Sequence, residues 1–180
     1  MIVDDRYGII KPKFDDGKIR HFSDIIKIVP KTRLAKDIGK SNVRLNRVIN
    51  QIDTIEIGEL ASVGDLAGLI LMEMLSIVEP DCVMPRPKVK DERFDNVNVL
   101  FRTGNIRYLE DIFRYVPKSL VGPQLKMKQE RLARLIFKVG KFEIRDVLLI
   151  GSLCRLTKKE TFWLIVKSYE EQNKPRKKNF

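Results

Sequence analysis

Between Lys27 and Arg47 the chain carries seven cationic side chains and a single acid, Asp37. Such a run supports electrostatic chemistry: ammonium and guanidinium groups neutralise phosphates, and guanidiniums can pair with guanine O6 and N7. The seven are Lys27, Lys31, Arg33, Lys36, Lys40, Arg44 and Arg47. From Val48 to Met84 the pattern inverts, with acids present and no Lys or Arg at all. A helical domain under pressure only to stay soluble more often mixes the two signs. This stretch has a positive end and a negative end.

Catalysis has no comparable support. There is no Gly-rich phosphate loop, no nucleophile partnered by a histidine and no metal-ligand cluster, so no enzyme, cofactor or metal is expected. His21, the one histidine, reads as a helix-start residue. Asp4-Asp5 and Asp15-Asp16 read as surface and turn acids. Cys82 and Cys154 stand in unlike contexts and read as a loop thiol and a core thiol, which suits a reducing compartment. Met1–Tyr7 has no apolar leader core. The longest near-apolar run, Leu66–Val78, is broken by Gly68, Glu73 and Ser76 and falls short of the roughly 20 residues of a membrane span. The expectation is a cytoplasmic, nucleoid-associated protein with no membrane segment.

The 180 residues carry a net charge of +11 and are 43% hydrophobic. That is material for one ordinary domain or two small ones, and a charge that draws polyanions. Phe22, Ile25, Ile26 and Val29 follow helical spacing, and Pro30 ends that helix. Thr32 suits the N-cap of a second helix with Leu34, Ala35 and Ile38 inside. Gly39 supplies a residue tolerant of positive φ at the turn. Ser41 caps a third helix whose buried stripe is Leu45, Val48 and Ile49. Ile57, Leu60, Ala61 and Gly64 trace a fourth helix closing at Gly68, and Leu69–Val78 a fifth that Glu79-Pro80 stops. Before this block, residues 1–20 read as an arm or small hairpin. After it, residues 81–105 read as a linker, with Asn96–Phe101 as a candidate strand.

The block then repeats. Phe22–Val78 aligns without gaps on Leu109–Ile165 at a constant offset of 87 residues, with about a quarter of the positions identical. Val29-Pro30-Lys31-Thr32 meets Val116-Pro117-Lys118-Ser119, and Arg44-Leu45, Arg47 and Ile49 meet Arg131-Leu132, Arg134 and Ile136. This is an internal duplication, and it sets the architecture. Thr157-Lys-Lys-Glu160 is a capping box opening the second copy's fifth helix. Lys174 to Lys178 form a basic tail.

The order Thr32-Arg-Leu34-Ala35-Lys-Asp-Ile38-Gly39-Lys-Ser41-Asn-Val-Arg-Leu45-Asn-Arg-Val48-Ile49 resembles the lambda-repressor-like helix-turn-helix family, of Cro and Xre type, in two tandem diverged copies. The resemblance implies an all-α protein with two five-helix domains, at 21–80 and 106–169, and a tail at 170–180. It implies a third helix in the major groove, with Lys40, Ser41, Asn42, Arg44 and Arg47 facing DNA and Thr32, Arg33 and Lys36 on phosphates. By position the second copy would contribute Lys118, Ser119, Lys126, Lys128, Gln129, Arg131 and Arg134. That copy departs from the pattern: Gly122-Pro123 replaces Ala35-Lys36, and Lys126 replaces Gly39. We expect it to hold the DNA backbone while Lys40–Arg47 reads bases. Two fused copies would act as a pseudo-dimer on double-stranded DNA, hence in transcription regulation. The apolar fifth helices are candidate homodimer contacts. The rival readings are a protein–protein adaptor on a helix-turn-helix-like scaffold, or a non-specific architectural DNA- or RNA-binding protein.

Overall fold

The computed structural model describes residues 5–175. Asp4 and the tail residues Arg176–Lys178 lie outside the described residues. Twelve α-helices and no strand occur within them, so the protein is all-α. The chain divides into two compact units. The first runs to Val83 and takes in Glu143–Arg145; the second comprises Met84–Phe142 and the chain from Asp146 onward. No single helix among the described residues is long and apolar enough to cross a membrane.

Unit 1 holds α1 (Ile10–Asp15), α2 (Phe22–Ile28), α3 (Lys31–Asp37), α4 (Asn42–Asn50), α5 (Ile57–Ala67) and α6 (Leu71–Val78). The second repeat holds α7 (Glu92–Arg102), α8 (Leu109–Tyr115), α9 (Lys118–Gln124), α10 (Gln129–Ile136), α11 (Ile144–Leu153) and α12 (Lys158–Asn173). Each repeat thus has six α-helices, not five, because the expected arm and linker each fold into one. Residues Asp5–Ile9 form a 3-10 turn leading into α1, with Tyr7 and Ile10 buried. Tyr7 Oη donates to Asp37 Oδ2 at 3.0 Å and Lys11 Nζ donates to Glu73 Oε1 at 3.1 Å, which ties this helix to α3 and α6. The candidate strand Asn96–Phe101 lies inside α7, whose buried Phe94 and Val97 are one helical turn apart. Its alternation of Asn and Val imitated a strand over too few residues to settle the period.

The backbone repeats more faithfully than the side chains. Among the described residues six have positive φ: Gly17, Gly39, Gly68, Gly104, Lys126 and Arg155. They form three pairs at the offset of 87 residues, Gly17 with Gly104, Gly39 with Lys126 and Gly68 with Arg155. The pairs mark the ends of α1, α3 and α5 and of their counterparts. Arg20 Nε donates to Gly17 O at 3.0 Å, and Arg107 Nε donates to Gly104 O at 3.2 Å. Asp24 Oδ2 accepts the amides of Arg20 and His21, as Asp111 Oδ2 accepts those of Arg107 and Tyr108. The duplication therefore begins at least five residues earlier than the side-chain alignment from Phe22 suggests.

The cores are built from the apolar stripes. Ile25, Leu34, Leu45, Ile57, Leu60 and Leu75 are sealed in unit 1, and Ile112, Val121, Leu132, Leu148 and Ile165 in unit 2. Met74, Leu75, Ile77 and Val78 of α6 are buried in their own unit, as are Phe162, Leu164, Ile165 and Val166 of α12. Thr157 Oγ1 accepts Glu160 N at 3.2 Å, which starts α12 with its capping box.

Candidate nucleic-acid interface

Pro30, not Thr32, caps α3: its carbonyl accepts Arg33 N at 2.9 Å and Leu34 N at 3.0 Å, and the helix starts at Lys31. Proline is favoured here because it stops α2 and has an extended ψ of 139° that launches the next helix. Gly39, at φ +66°, turns the chain, and Lys40 N closes the turn on Ala35 O at 2.7 Å. Ser41 then caps α4, its Oγ accepting Arg44 N at 3.1 Å. Leu45 and Val48 anchor α4 to the core. Asn42, Val43, Asn46, Arg47 and Asn50 stay exposed.

The cations of this stretch divide into two groups. Arg44 is turned inward. Its Nε and Nη2 bind Glu59 Oε1 and Oε2 at 3.0 and 2.7 Å, and Nη2 also donates to Thr54 O at 2.8 Å. Lys40 Nζ lies 3.0 Å from the same carboxylate. The Glu59 side chain is only 3% exposed. Burial pushes its carboxyl up, but the hydrogen bonds from Arg44, the Glu56 amide and Lys40 outweigh that and hold it below the usual carboxylate range. The Arg44 guanidinium is held above its ordinary value by the Glu59 hydrogen bonds, against its own burial. A bidentate buried pair of this kind orients α4 on α5. Arg33 is likewise engaged, Nε donating to Asp37 Oδ2 at 2.8 Å. Lys36, Thr32, Ser41, Asn42 and Arg47 are exposed. Of the five residues expected on base edges, Lys40 and Arg44 therefore serve the buried carboxylate, while Ser41, Asn42 and Arg47 remain on the outer face, Arg47 with its Nη2 3.5 Å from Glu143 Oε1.

In unit 2 the equivalent stretch is built differently. Lys126 occupies the left-handed turn at φ +52°, where a side chain is disfavoured by about 1–2 kcal/mol. Met127 N reaches back to Gly122 O at 2.8 Å. A Cβ on Gly122 would stand 2.9 Å from Met127 O, which explains glycine in place of Ala35. Pro123 lies in the last turn of α9, and Pro117 is its N-cap. No side chain caps α10, whose N-cap is Lys128. Ser119, Lys126, Lys128, Gln129, Arg131 and Arg134 are exposed and Lys118 is half-buried. Among the described residues Lys118, Lys126, Lys128 and Arg131 make no ion pair, and Arg134 Nε donates only to Glu130 O of its own helix, at 3.3 Å. The counterpart of Lys40 is Met127, and Asp146 stands in place of Glu59.

Sequence reasoning missed Glu59, which governs the availability of Arg44, and did not count the exposed Val43 and Asn46 among the site residues. Lys31 Nζ donates to Asn46 Oδ1 at 3.0 Å. The signal for Glu59 was present: an acid within the apolar helix Ile57–Ala67, directly after a basic run. The remaining reactive side chains are quiet. Cys154 is buried, and burial pushes its thiol up to about 12. Cys82, a loop thiol as expected, is buried too. His21 begins α2, its Nδ1 3.0 Å from Asp81. No group of three potential metal ligands occurs among the described residues. Comparison with family models, with curated proteins and with solved structures finds no match.

Proposed function

We propose that the chain binds double-stranded DNA and acts in transcription regulation, each repeat presenting its second and third core helices to the duplex: α3 and α4 in the first, α9 and α10 in the second. The observation that carries this reading is the set of exposed, unpaired cations at the α9–α10 turn. Lys126, Lys128 and Arg131 lie within six residues of one another with no ion pair among the described residues. Like charges held together repel, and a polyanion relieves that repulsion. In unit 1 the outward face of α4 offers Asn42, Asn46 and Arg47, groups that can hydrogen-bond base edges, and Val43, an apolar contact suited to a thymine methyl. Arg44 acts from behind as the strut that fixes the angle of α4.

The test is a fluorescence-anisotropy titration of the full chain with a random duplex and with duplexes selected from a random pool, at several salt concentrations. The expected result is a linear fall of log affinity with log salt, at a slope of about −0.9 per phosphate neutralised. A selected duplex is expected to bind more tightly than the random one. Absence of salt-dependent duplex binding refutes the reading, and equal binding of all duplexes and of RNA replaces it with an architectural role.

A further inference from the structure

The duplication reveals a cleft in unit 1 that unit 2 has filled. In unit 2, α12 runs to Asn173 and brings Gln172 onto the bend after α10. The Gln172 carboxamide bridges two backbone groups there, Nε2 donating to Ile136 O at 2.9 Å and Oε1 accepting Val139 N at 2.8 Å. In unit 1 the corresponding helix α6 ends at Val78, because Pro80 stands where α12 has Lys167 and the chain leaves in the 3-10 turn Glu79–Asp81. The groups equivalent to Ile136 O and Val139 N are Ile49 O and Ile52 N. Among the described residues no side chain hydrogen-bonds to them.

The bend itself is conserved between the repeats. Gln51 has φ −148° and ψ 81°, and Lys138 has φ −135° and ψ 62°. Each is followed by a 3-10 turn, Ile52–Thr54 and Val139–Lys141. Where α12 fills unit 2, unit 1 has a cleft of about 470 Å³ lined by Phe22, Ser23, Ile49, Ile52, Asp53 and Asp81. Asp53 is a second, independent sign of a missing partner: its Oδ1 is buried and accepts no hydrogen bond among the described residues. Its counterpart in unit 2 is Gly140, so the carboxylate belongs to this cleft alone.

We propose that this cleft is a recognition site for a helical turn of a separate polypeptide, one that presents a glutamine carboxamide and a nearby cation. The carboxamide takes the place that Gln172 holds in the other repeat, accepting from Ile52 N and donating to Ile49 O. The cation meets the half-buried Asp53 carboxylate, with Asp81, which holds His21 Nδ1 at 3.0 Å, at the rim. A carboxamide fits because the two backbone groups are a donor and an acceptor on one bend, the pair that unit 2 satisfies with a single side chain. A cation fits because a buried carboxylate oxygen without a donor is costly until it is paired. The proposal does not depend on DNA binding, since α4 offers the duplex its outer face and the cleft lies at its C-terminal end.

The test uses the full, ¹⁵N-labelled chain and a capped, alanine-based helical peptide of about 15 residues with one central glutamine and a lysine one turn to either side. Saturable amide shifts at Ile49 to Asp53 are expected. They should vanish with a peptide carrying leucine for glutamine. Asp53→Asn should weaken the lysine peptide roughly fivefold and leave a lysine-free glutamine peptide unaffected. No saturable shift, or the same shift with the leucine peptide, overturns the proposal and leaves the cleft as a hydrated niche. The amide spectrum of Asp53→Asn away from the cleft reports whether that variant is folded.

Discussion

Replacing Arg44 by methionine keeps most of the side chain's bulk and removes its charge, so the cost falls on the carboxylate left behind. Glu59 loses contacts at 3.0 and 2.7 Å, and Thr54 O loses a donor at 2.8 Å. Breaking one side of a buried pair costs about 3–5 kcal/mol. Lys40, still 3.0 Å from Glu59, keeps the value at the low end, about 3 kcal/mol. For a unit of this size each kcal/mol moves the melting temperature by about 4–8 °C, so unit 1 should melt about 12–24 °C lower. Thermal and urea unfolding followed by circular dichroism measure this. The double variant Arg44→Met with Glu59→Leu should recover most of the loss, because the stranded charge has gone with its partner. The sign of the pH dependence is also fixed. Glu59 titrates below its usual 4.5 in the folded chain, so its pair stabilises above that pH and fades as pH falls through the lowered folded value. The gap between wild type and Arg44→Met should therefore close in acid. If Arg44→Met unfolds like wild type but loses duplex affinity, the guanidinium works at the surface and the strut argument is wrong.

Two further substitutions separate folding from binding. Gln172→Leu strands Ile136 O and Val139 N, and unit 2 should lose about 1–3 kcal/mol in urea unfolding. Lys126→Gly relieves the left-handed turn, so unit 2 should gain at most about 1 kcal/mol, glycine's extra unfolded-state freedom offsetting part of the gain. The same change removes an exposed cation, so duplex affinity should fall and the salt slope should shrink by about one contact. Opposite signs in stability and affinity at one residue are the signature of a strained position kept for its charge.

The helices α2 to α6 and their copies were legible because their apolar residues recur at helical spacing and their ends carry Pro30, Gly39, Ser41, Gly68 and the Thr157 capping box. The first helix of each repeat was hidden. Ile10–Asp15 is six residues long with a proline at its third position, and Glu92–Arg102 mixes helical and alternating spacing. Both are held by contacts remote in sequence, such as Tyr7 with Asp37, that no local pattern displays. The candidate interface was legible as a set of cations, but not in which of them point outward.

The sequence by itself determined the all-α class, the duplication, the turn at Gly39 and the polarised charge, because these follow from spacing, backbone freedom and residue type along the chain. Tertiary structure decided the fate of each charge. Arg44 and Arg47 occupy one helix three residues apart, yet the first is spent on a buried carboxylate 15 residues away and the second lies 52% exposed, its Nη2 3.5 Å from Glu143 Oε1. It also decided that a proline ending α6 two turns early leaves open in one repeat the cleft that Gln172 closes in the other. A helix fixes the direction in which a side chain leaves the backbone. Only the packing of the neighbouring helix determines whether it meets water, a buried partner or nothing.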